Sequence, residues 1–140
     1  MNTKVSELMS ESVVTAQPHQ SVEHVRQMMD NNKISSVPVV DTGGQPVGII
    51  SATDLAHDLK AGTHINTLMT LKVYVVPLYE DVSIAARVMR NHKIHHVVVT
   101  HEKKVVGILS AFDLLKLVED HRYVAKNPPT MSLRKGVKRH

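Results

Sequence analysis

The residues best suited to chemistry in this 140-residue chain are serines and aspartates that recur in one fixed order. A Gly-apolar-x-Ser-x-x-Asp motif runs from Gly48 to Asp54 and again from Gly107 to Asp113. In each copy an apolar strand leads into the serine, where a helix is predicted to begin. Free backbone N–H groups at a helix start favour phosphate, and a carboxylate in the first turn can accept both hydroxyls of a ribose. The motif therefore predicts a nucleotide site, although Ser-x-x-Asp is also the pattern of an ordinary helix capping box.

The motif belongs to a longer internal repeat. A shift of sixty residues aligns Leu8-Met9 with Leu68-Met69, and Asn32-Lys33-Ile34 with His92-Lys93-Ile94. Each copy predicts the order β-α-β-β-α, with apolar residues at helical spacing in the first helix and a second helix beginning near Thr53 or Phe112. The predicted strands are 13–15, 37–40 and 47–50 in the first copy, and 73–76, 97–100 and 105–109 in the second.

The expected fold class is α/β (α+β), with the two β-α-β-β-α repeats related by a pseudo-twofold axis. A unit of about fifty residues buries too little surface to be stable alone, so the two units should pack together and leave clefts between them. Repeat one is placed at 1–60, repeat two at 61–120, and a basic, weakly ordered tail at 121–140. That tail holds six Lys/Arg and no acid, and it contains Pro128-Pro129, which cannot continue a helix.

Composition excludes several classes of protein. The chain has no cysteine, which excludes disulfides and thiolate sites, and with no signal-peptide pattern at its start we expect a cytoplasmic protein. Its apolar runs are too short to span a membrane. Residues 1–120 carry eleven basic and thirteen acidic side chains, so the net charge of +4 comes from the tail. Nucleic acid is thus an unlikely partner, and the tail is better interpreted as a solubilising or docking segment.

The duplicated motif, the Val37-Pro38-Val39 strand and the opening Leu-Met together resemble the CBS domain, named after cystathionine β-synthase. The resemblance covers about Val5–Glu119. It implies a Bateman module, in which a pair of repeats binds AMP, ADP or ATP, or in some members S-adenosylmethionine or cyclic di-AMP. It also implies a homodimer without catalytic activity that regulates an unidentified target protein, for example as an energy sensor. The alternative is a protein-interaction module with degenerate clefts.

In nucleotide-binding members such as the γ subunit of AMP-activated protein kinase, the Asp of one repeat closes a cleft whose base-binding wall comes from the other. Matching motif positions assigns two clefts to this chain. Cleft one would use Ser12, Val14, Ile34, Ser35, Val37 and Pro38 with Ser110, Phe112 and Asp113. Cleft two would use Lys72, Tyr74, Ile94, His95, His96 and Val97 with Ser51, Thr53 and Asp54.

The two clefts should differ in their preference for phosphate. Cleft two has Lys72 and His95 on its walls, whereas cleft one is short of cations. His96 occupies the position of a phosphate-binding arginine in the kinase subunit, which weakens the expected charge because a neutral imidazole only donates a hydrogen bond. Phe112 would either stack on a ligand or fill cleft one. Tyr74, a lone aromatic in a strand, could belong to the core instead of the ligand wall.

Two rival readings compete with nucleotide binding. A metal site is suggested by His92, His95, His96 and His101, but His92 should end a helix while His95 and His96 should face opposite sides of a strand. No metal site is therefore predicted, and no cofactor is required. Catalysis is not expected either, since Ser51 and Ser110 have no recognisable oxyanion partner or base.

Overall fold

The computed structural model describes residues 2–11 and 14–120. The predictions made for Ser12, Val13 and the tail at 121–140 lie outside these residues. Within the described part, helices and two small sheets alternate as the repeat pattern requires, which confirms the α/β fold class. Every described helix is too short or too polar to cross a lipid bilayer.

Repeat one contains two helices and one β-hairpin. The elements are α1 (Val5–Leu8), α2 (Val22–Asn32), β1 (Ser36–Val40) and β2 (Pro46–Ser51). The Ser21 hydroxyl accepts the His24 N–H at 3.2 Å, which starts α2 because it satisfies a backbone donor that has no partner inside the helix. The helix ends at Lys33, whose left-handed backbone (φ 54°) turns the chain towards β1.

Repeat two has the same plan with more regular structure. It contains a 3-10 turn (Ile65–Thr67), β3 (Val75–Pro77), α3 (Val82–His92), β4 (His96–His101), β5 (Lys104–Ser110) and α4 (Ala111–Asp120). The Asp81 carboxylate accepts the Ser83 N–H at 2.9 Å and starts α3. The hydrogen bonding of Ser83 to this carboxylate also lowers the pKa of Asp81. Lys93 (φ 56°) ends α3 as Lys33 ends α2.

The two sheets differ in their first strand. In repeat two, β3 pairs in parallel with β4, and β4 pairs in antiparallel with β5. In repeat one, β1 and β2 form the antiparallel hairpin, but the strand predicted at 13–15 is replaced by a single bridge in which Ala16 pairs with Val39. The prediction of three strands per repeat is therefore right for repeat two, whereas the described part of repeat one has two.

The helix predicted near Thr53 is also absent from repeat one. Residues 52–55 form only a turn, while the equivalent residues of repeat two begin the ten-residue helix α4. Arg26 explains the difference: its guanidinium donates to the carbonyl oxygens of Leu55 at 2.6 Å and His57 at 3.4 Å. These carbonyls would accept helical N–H groups if the turn continued, so Arg26 stabilises the irregular path instead.

Each hydrophobic core is completed by a segment of the other repeat. Val5 and Leu8 of α1 pack in the core of repeat two, among residues of α3, β4 and β5. In the same way Ile65, Leu68 and Met69 pack in the core of repeat one. Backbone hydrogen bonds stabilise this exchange of segments between the repeats; for example, the Val5 N–H donates to the Glu80 carbonyl oxygen at 2.8 Å. The two repeats therefore fold as one unit.

The motif glycines make this exchange possible. A Cβ atom on Gly107 would lie 2.8 Å from the Ser10 carbonyl oxygen and 2.7 Å from the Met9 sulfur. A Cβ atom on Gly48 would lie 2.7 Å from the Met69 sulfur. The absence of a side chain at these two glycines therefore allows the close approach of a neighbouring segment.

Candidate functional site

Both Ser-x-x-Asp motifs form capping boxes. The Ser51 N–H donates to Asp54 Oδ2 at 2.9 Å, and the Asp54 N–H donates to Ser51 Oγ at 3.3 Å. Ser110 and Asp113 make the same pair of bonds at 2.9 and 3.0 Å. Each box engages one carboxylate oxygen, and Asp113 Oδ1 lies 3.8 Å from the Lys116 ammonium. The boxes hold the aspartates in fixed orientations at the ends of β2 and β5.

A cavity of about 420 Å³ lies beside the first of these motifs and between the two repeats. Its size falls in the range of small-molecule sites, which is roughly 300–1,000 Å³. Repeat one contributes the end of β2 and its capping box, and repeat two contributes the segments before β3 and around the start of β4. The lining residues are Ser36, Ile49, Ser51, Asp54, Thr70, Lys72, Val73, Tyr74, His92, Ile94, His95, His96 and Val98.

Seven of the nine residues predicted for cleft two lie around this cavity. They are Ser51, Asp54, Lys72, Tyr74, Ile94, His95 and His96. The other two do not line it. Val97 is 1% exposed in the core of repeat two, and Val98 faces the cavity in its place. Thr53 is exposed, with its hydroxyl 3.0 Å from Ser51 Oγ.

An aromatic stack forms one wall of the cavity. The rings of Tyr74 and His92 lie with centroids 4.1 Å apart and planes inclined by 25°. The Lys72 ammonium lies 6.0 Å from the centroid of the Tyr74 ring, at the limit of a cation–π contact. Tyr74 packs on the core and also lines the cavity, so both roles considered for it apply.

His96 is the most perturbed histidine of the site. Its imidazole is half-buried, and desolvation lowers its pKa, with a smaller lowering from the neighbouring His95 and an opposing effect of Asp113. The side chain is therefore neutral near pH 7 in the free protein. Of the cations expected in this cleft, Lys72 alone carries a permanent charge.

The histidines are closer together than the sequence predicted. His92 ends α3 as expected, but His95 precedes β4, and both His95 and His96 line the same cavity. The expectation that they face opposite sides is wrong because alternation applies only within a strand. In the described ranges, no three His, Cys, Asp or Glu side chains are placed to hold a metal ion.

The residues assigned to cleft one are not brought together in the same way. Val37 and Pro38 are buried, and Val37 is 0% exposed in the core of repeat one. Phe112 is 77% exposed, so it neither fills a cleft nor stacks on another ring. Val14 and Ile34 are half-buried, Ser35 is exposed, and Ser12 lies outside the described residues. In the described part of the chain, none of the main cavities is lined by both Ile34 and Asp113.

Six lining residues of the observed cavity were missed. They are Ser36, Ile49, Thr70, Val73, His92 and Val98. Thr70 reaches the site because its backbone exchanges hydrogen bonds with Ile49, at 2.9 and 3.0 Å. Val98 had a signal in the sequence, since residues two apart on a strand share a face and His96 was already assigned to the cleft.

Comparison with known proteins decides the family. A model of the CBS domain matches residues 5–61 and 65–120. The chain belongs to the CBS domain family. It is 40% identical over 111 residues to inosine-5'-monophosphate dehydrogenase of Halobacterium salinarum, covering 76% of this chain and 22% of that protein. It is 32% identical over 123 residues to homoserine O-acetyltransferase of Methanosalsum zhilinae, covering 86% of this chain and 25% of that protein. This CBS pair thus spans about a quarter of these curated relatives.

Solved structures give the same architecture. The CBS domain pair of protein MJ0100, in complex with 5'-methylthioadenosine and S-adenosyl-L-methionine, superposes with a TM-score of 0.79 at 28% identity. The match covers 87% of this chain and all of that chain. A putative acetoin utilization protein from Vibrio cholerae superposes with a TM-score of 0.75 at 24% identity, covering 86% of this chain and 93% of that chain, and shows the fold alone.

Proposed function

We propose that this CBS pair is a non-catalytic regulatory module that binds an adenosine-containing ligand, AMP, ADP or ATP, in cleft two. One observation carries the proposal: the cavity that brings Ser51 and Asp54 of repeat one against Lys72, Tyr74 and the β4 histidines of repeat two. Asp54 offers a fixed carboxylate to ribose hydroxyls. The half-buried apolar walls suit a purine, and the histidines and Lys72 suit a phosphate.

S-adenosylmethionine is the second candidate ligand. The MJ0100 pair is described in complex with this compound and with methylthioadenosine. The charged residues of cleft two support the same class, since the cavity is lined by one lysine, Lys72, and one carboxylate, Asp54. Such a site does not require a highly charged ligand. We therefore expect the adenosine moiety to contribute more to the binding affinity than the phosphates do.

The test is isothermal titration of the wild-type protein, Asp54→Asn and Asp113→Asn with adenosine, AMP, ATP and S-adenosylmethionine. Asp54→Asn should weaken binding about ten- to a hundredfold, the loss expected for hydrogen bonds to a charged group. Asp113→Asn is the matched control for adenosine, because it has the same capping geometry but does not line the cavity. For ATP it is a second test and not a control, since the Asp113 carboxylate raises the pKa of His96, which lines the cavity. Equal affinities in all three proteins would show that the motifs serve only as helix caps. Recovery of intact ATP after incubation with magnesium would support the absence of catalysis.

We also propose a homodimer that acts on a target protein. The apolar faces of α2 and α3 are not free for dimerisation, since Val25, Met29 and Met89 are buried in the cores of the chain itself. The supporting feature is instead an apolar stripe on α4, where Phe112, Leu115 and Val118 are 56–77% exposed. Sedimentation at micromolar concentration that shows only a 15.6 kDa species would contradict the dimer.

A further inference from the structure

Three histidines, His92, His95 and His96, line the cavity assigned to the ligand. Besides Asp54, the cavity contains the titratable groups Lys72, Tyr74, His92, His95 and His96. The hydrogen bonds of the Asp54 carboxylate go to its own capping box. The positive charge available to a phosphate therefore depends on how many of these imidazoles are protonated.

Of the three imidazoles that line the cavity, His96 is half-buried, whereas His92 and His95 are exposed. Its partners come from three directions: His95 beside it in the chain, Asp113 from the start of α4, and the cavity itself. Burial disfavours its charged form, and His95 opposes a second positive charge nearby. Negative charge placed in the cavity acts in the opposite direction, because an anion within a few ångströms favours the protonated imidazole.

We infer that polyphosphate binding in cleft two is coupled to the uptake of a proton by His96, so that the site selects ATP over adenosine more strongly as the pH falls. This inference rests on the proposed function, since it assumes that cleft two binds adenosine ligands. It goes beyond that function because it makes the affinity for phosphate, and not for the adenosine moiety, depend on pH. Repeat one carries Ser36 at the position equivalent to His96, so this coupling of phosphate binding to proton uptake is expected for the histidine of repeat two alone.

The decisive measurement is isothermal titration at pH 7 in two buffers with different enthalpies of ionisation. ATP binding should take up between about half a proton and one proton, and adenosine binding should take up none. Between pH 6 and pH 8 the affinity for ATP should fall about tenfold or more, whereas the affinity for adenosine should change less than about twofold. His96→Ser should abolish the difference. His101→Ser, a change at an exposed histidine away from the cavity, should preserve it.

An independent readout follows the His96 imidazole by NMR in the free and the ATP-bound wild-type protein, which needs no variant to fold. Its pKa should rise on binding ATP and stay unchanged on binding adenosine. ATP binding without proton uptake, or uptake that persists in His96→Ser, overturns the inference and leaves the proposed function intact. Absence of binding by adenosine and ATP at every pH overturns both.

Discussion

The two repeats share a motif, a capping box and an exchange of closing segments, yet they continue differently after the motif. Repeat two extends into α4, which packs beside α3, while repeat one turns back after Leu55. The equivalent helix positions are Ala86 in α3 and Arg26 in α2. The small alanine lies close to α4, where it lines a groove with Leu114, whereas the arginine hydrogen-bonds the backbone of the turn. We attribute the difference between helix and turn to this exchange of arginine for alanine.

The repeats also differ in how they face the cavity. Repeat two supplies His95 and His96 where repeat one has Ser35 and Ser36. The histidines line a cavity together with the capping box of repeat one. Among the main cavities of the described residues, none joins Ser35 or Ser36 to the capping box of repeat two, and Ser36 lines cleft two instead. Duplicated motifs therefore do not guarantee duplicated sites, because each site depends on what the other repeat places opposite the motif.

The largest expected effect comes from removing the residue that completes the core of repeat one. Ile65 is fully buried there, so Ile65→Ala should lower the free energy of unfolding by about 2–5 kcal/mol through lost contacts and a residual cavity. Urea denaturation measures the change. Leu71→Ala is the control, because Leu71 is 71% exposed and its loss should shift stability by no more than about 0.5 kcal/mol. Equal effects of the two changes would contradict the exchange of closing segments.

A smaller effect should follow when Arg26 of repeat one is replaced by alanine, the residue at the equivalent position of repeat two. Arg26→Ala removes a charged donor from two backbone carbonyls and should destabilise the fold by about 1.5–3 kcal/mol. Hydrogen exchange should accelerate around residues 55–57. The control is Arg87→Ala, at an exposed arginine of α3. If both variants behave alike, Arg26 does not determine the path of the turn.

The smallest effect concerns pH and distinguishes His96 from its counterpart Ser36. Burial lowers the pKa of His96 in the folded protein, so the unfolded chain binds the proton more readily. The free energy of unfolding should therefore fall as the pH drops through about 6.5, the ordinary pKa of histidine, and on through the lower folded pKa. His96→Ser should make this fall shallower in thermal melts between pH 8 and pH 5. A steeper fall in His96→Ser would show that the imidazole is stabilised in its charged form.

Much of the fold was predictable because the repeat makes each pattern visible twice. The helical spacing at Val22, Val25 and Met29, and its copy in repeat two, located α2 and α3. The missing helix after Asp54 was not predictable from local propensity, because a tertiary hydrogen bond from Arg26 overrides it. Of the strand expected at 13–15, the described residues 14 and 15 form no strand, and Ala16 makes a single bridge with Val39 of β1.

The candidate site was predictable where it consisted of motif residues and their matched counterparts. Asp54, Lys72 and His95 lie around one cavity although they are far apart in the sequence. His92 and Thr70 were missed because their positions depend on how a helix end and a closing segment pack, which no local pattern encodes. Val97 was assigned to cleft two but lies in the core. Side chains alternate along a strand, so its neighbours His96 and Val98 line the cavity while Val97 faces the other way.

The exchange of closing segments has a consequence for the ancestry of this architecture. In a chain containing a single repeat, the segment equivalent to Val5–Met9 would have no second repeat on which to pack, and the core would lack its own closing segment. Two such chains could complete both cores only by exchanging these segments, as in a domain-swapped dimer. Joining the two copies in one polypeptide turns that association into an intramolecular one, which no longer depends on protein concentration.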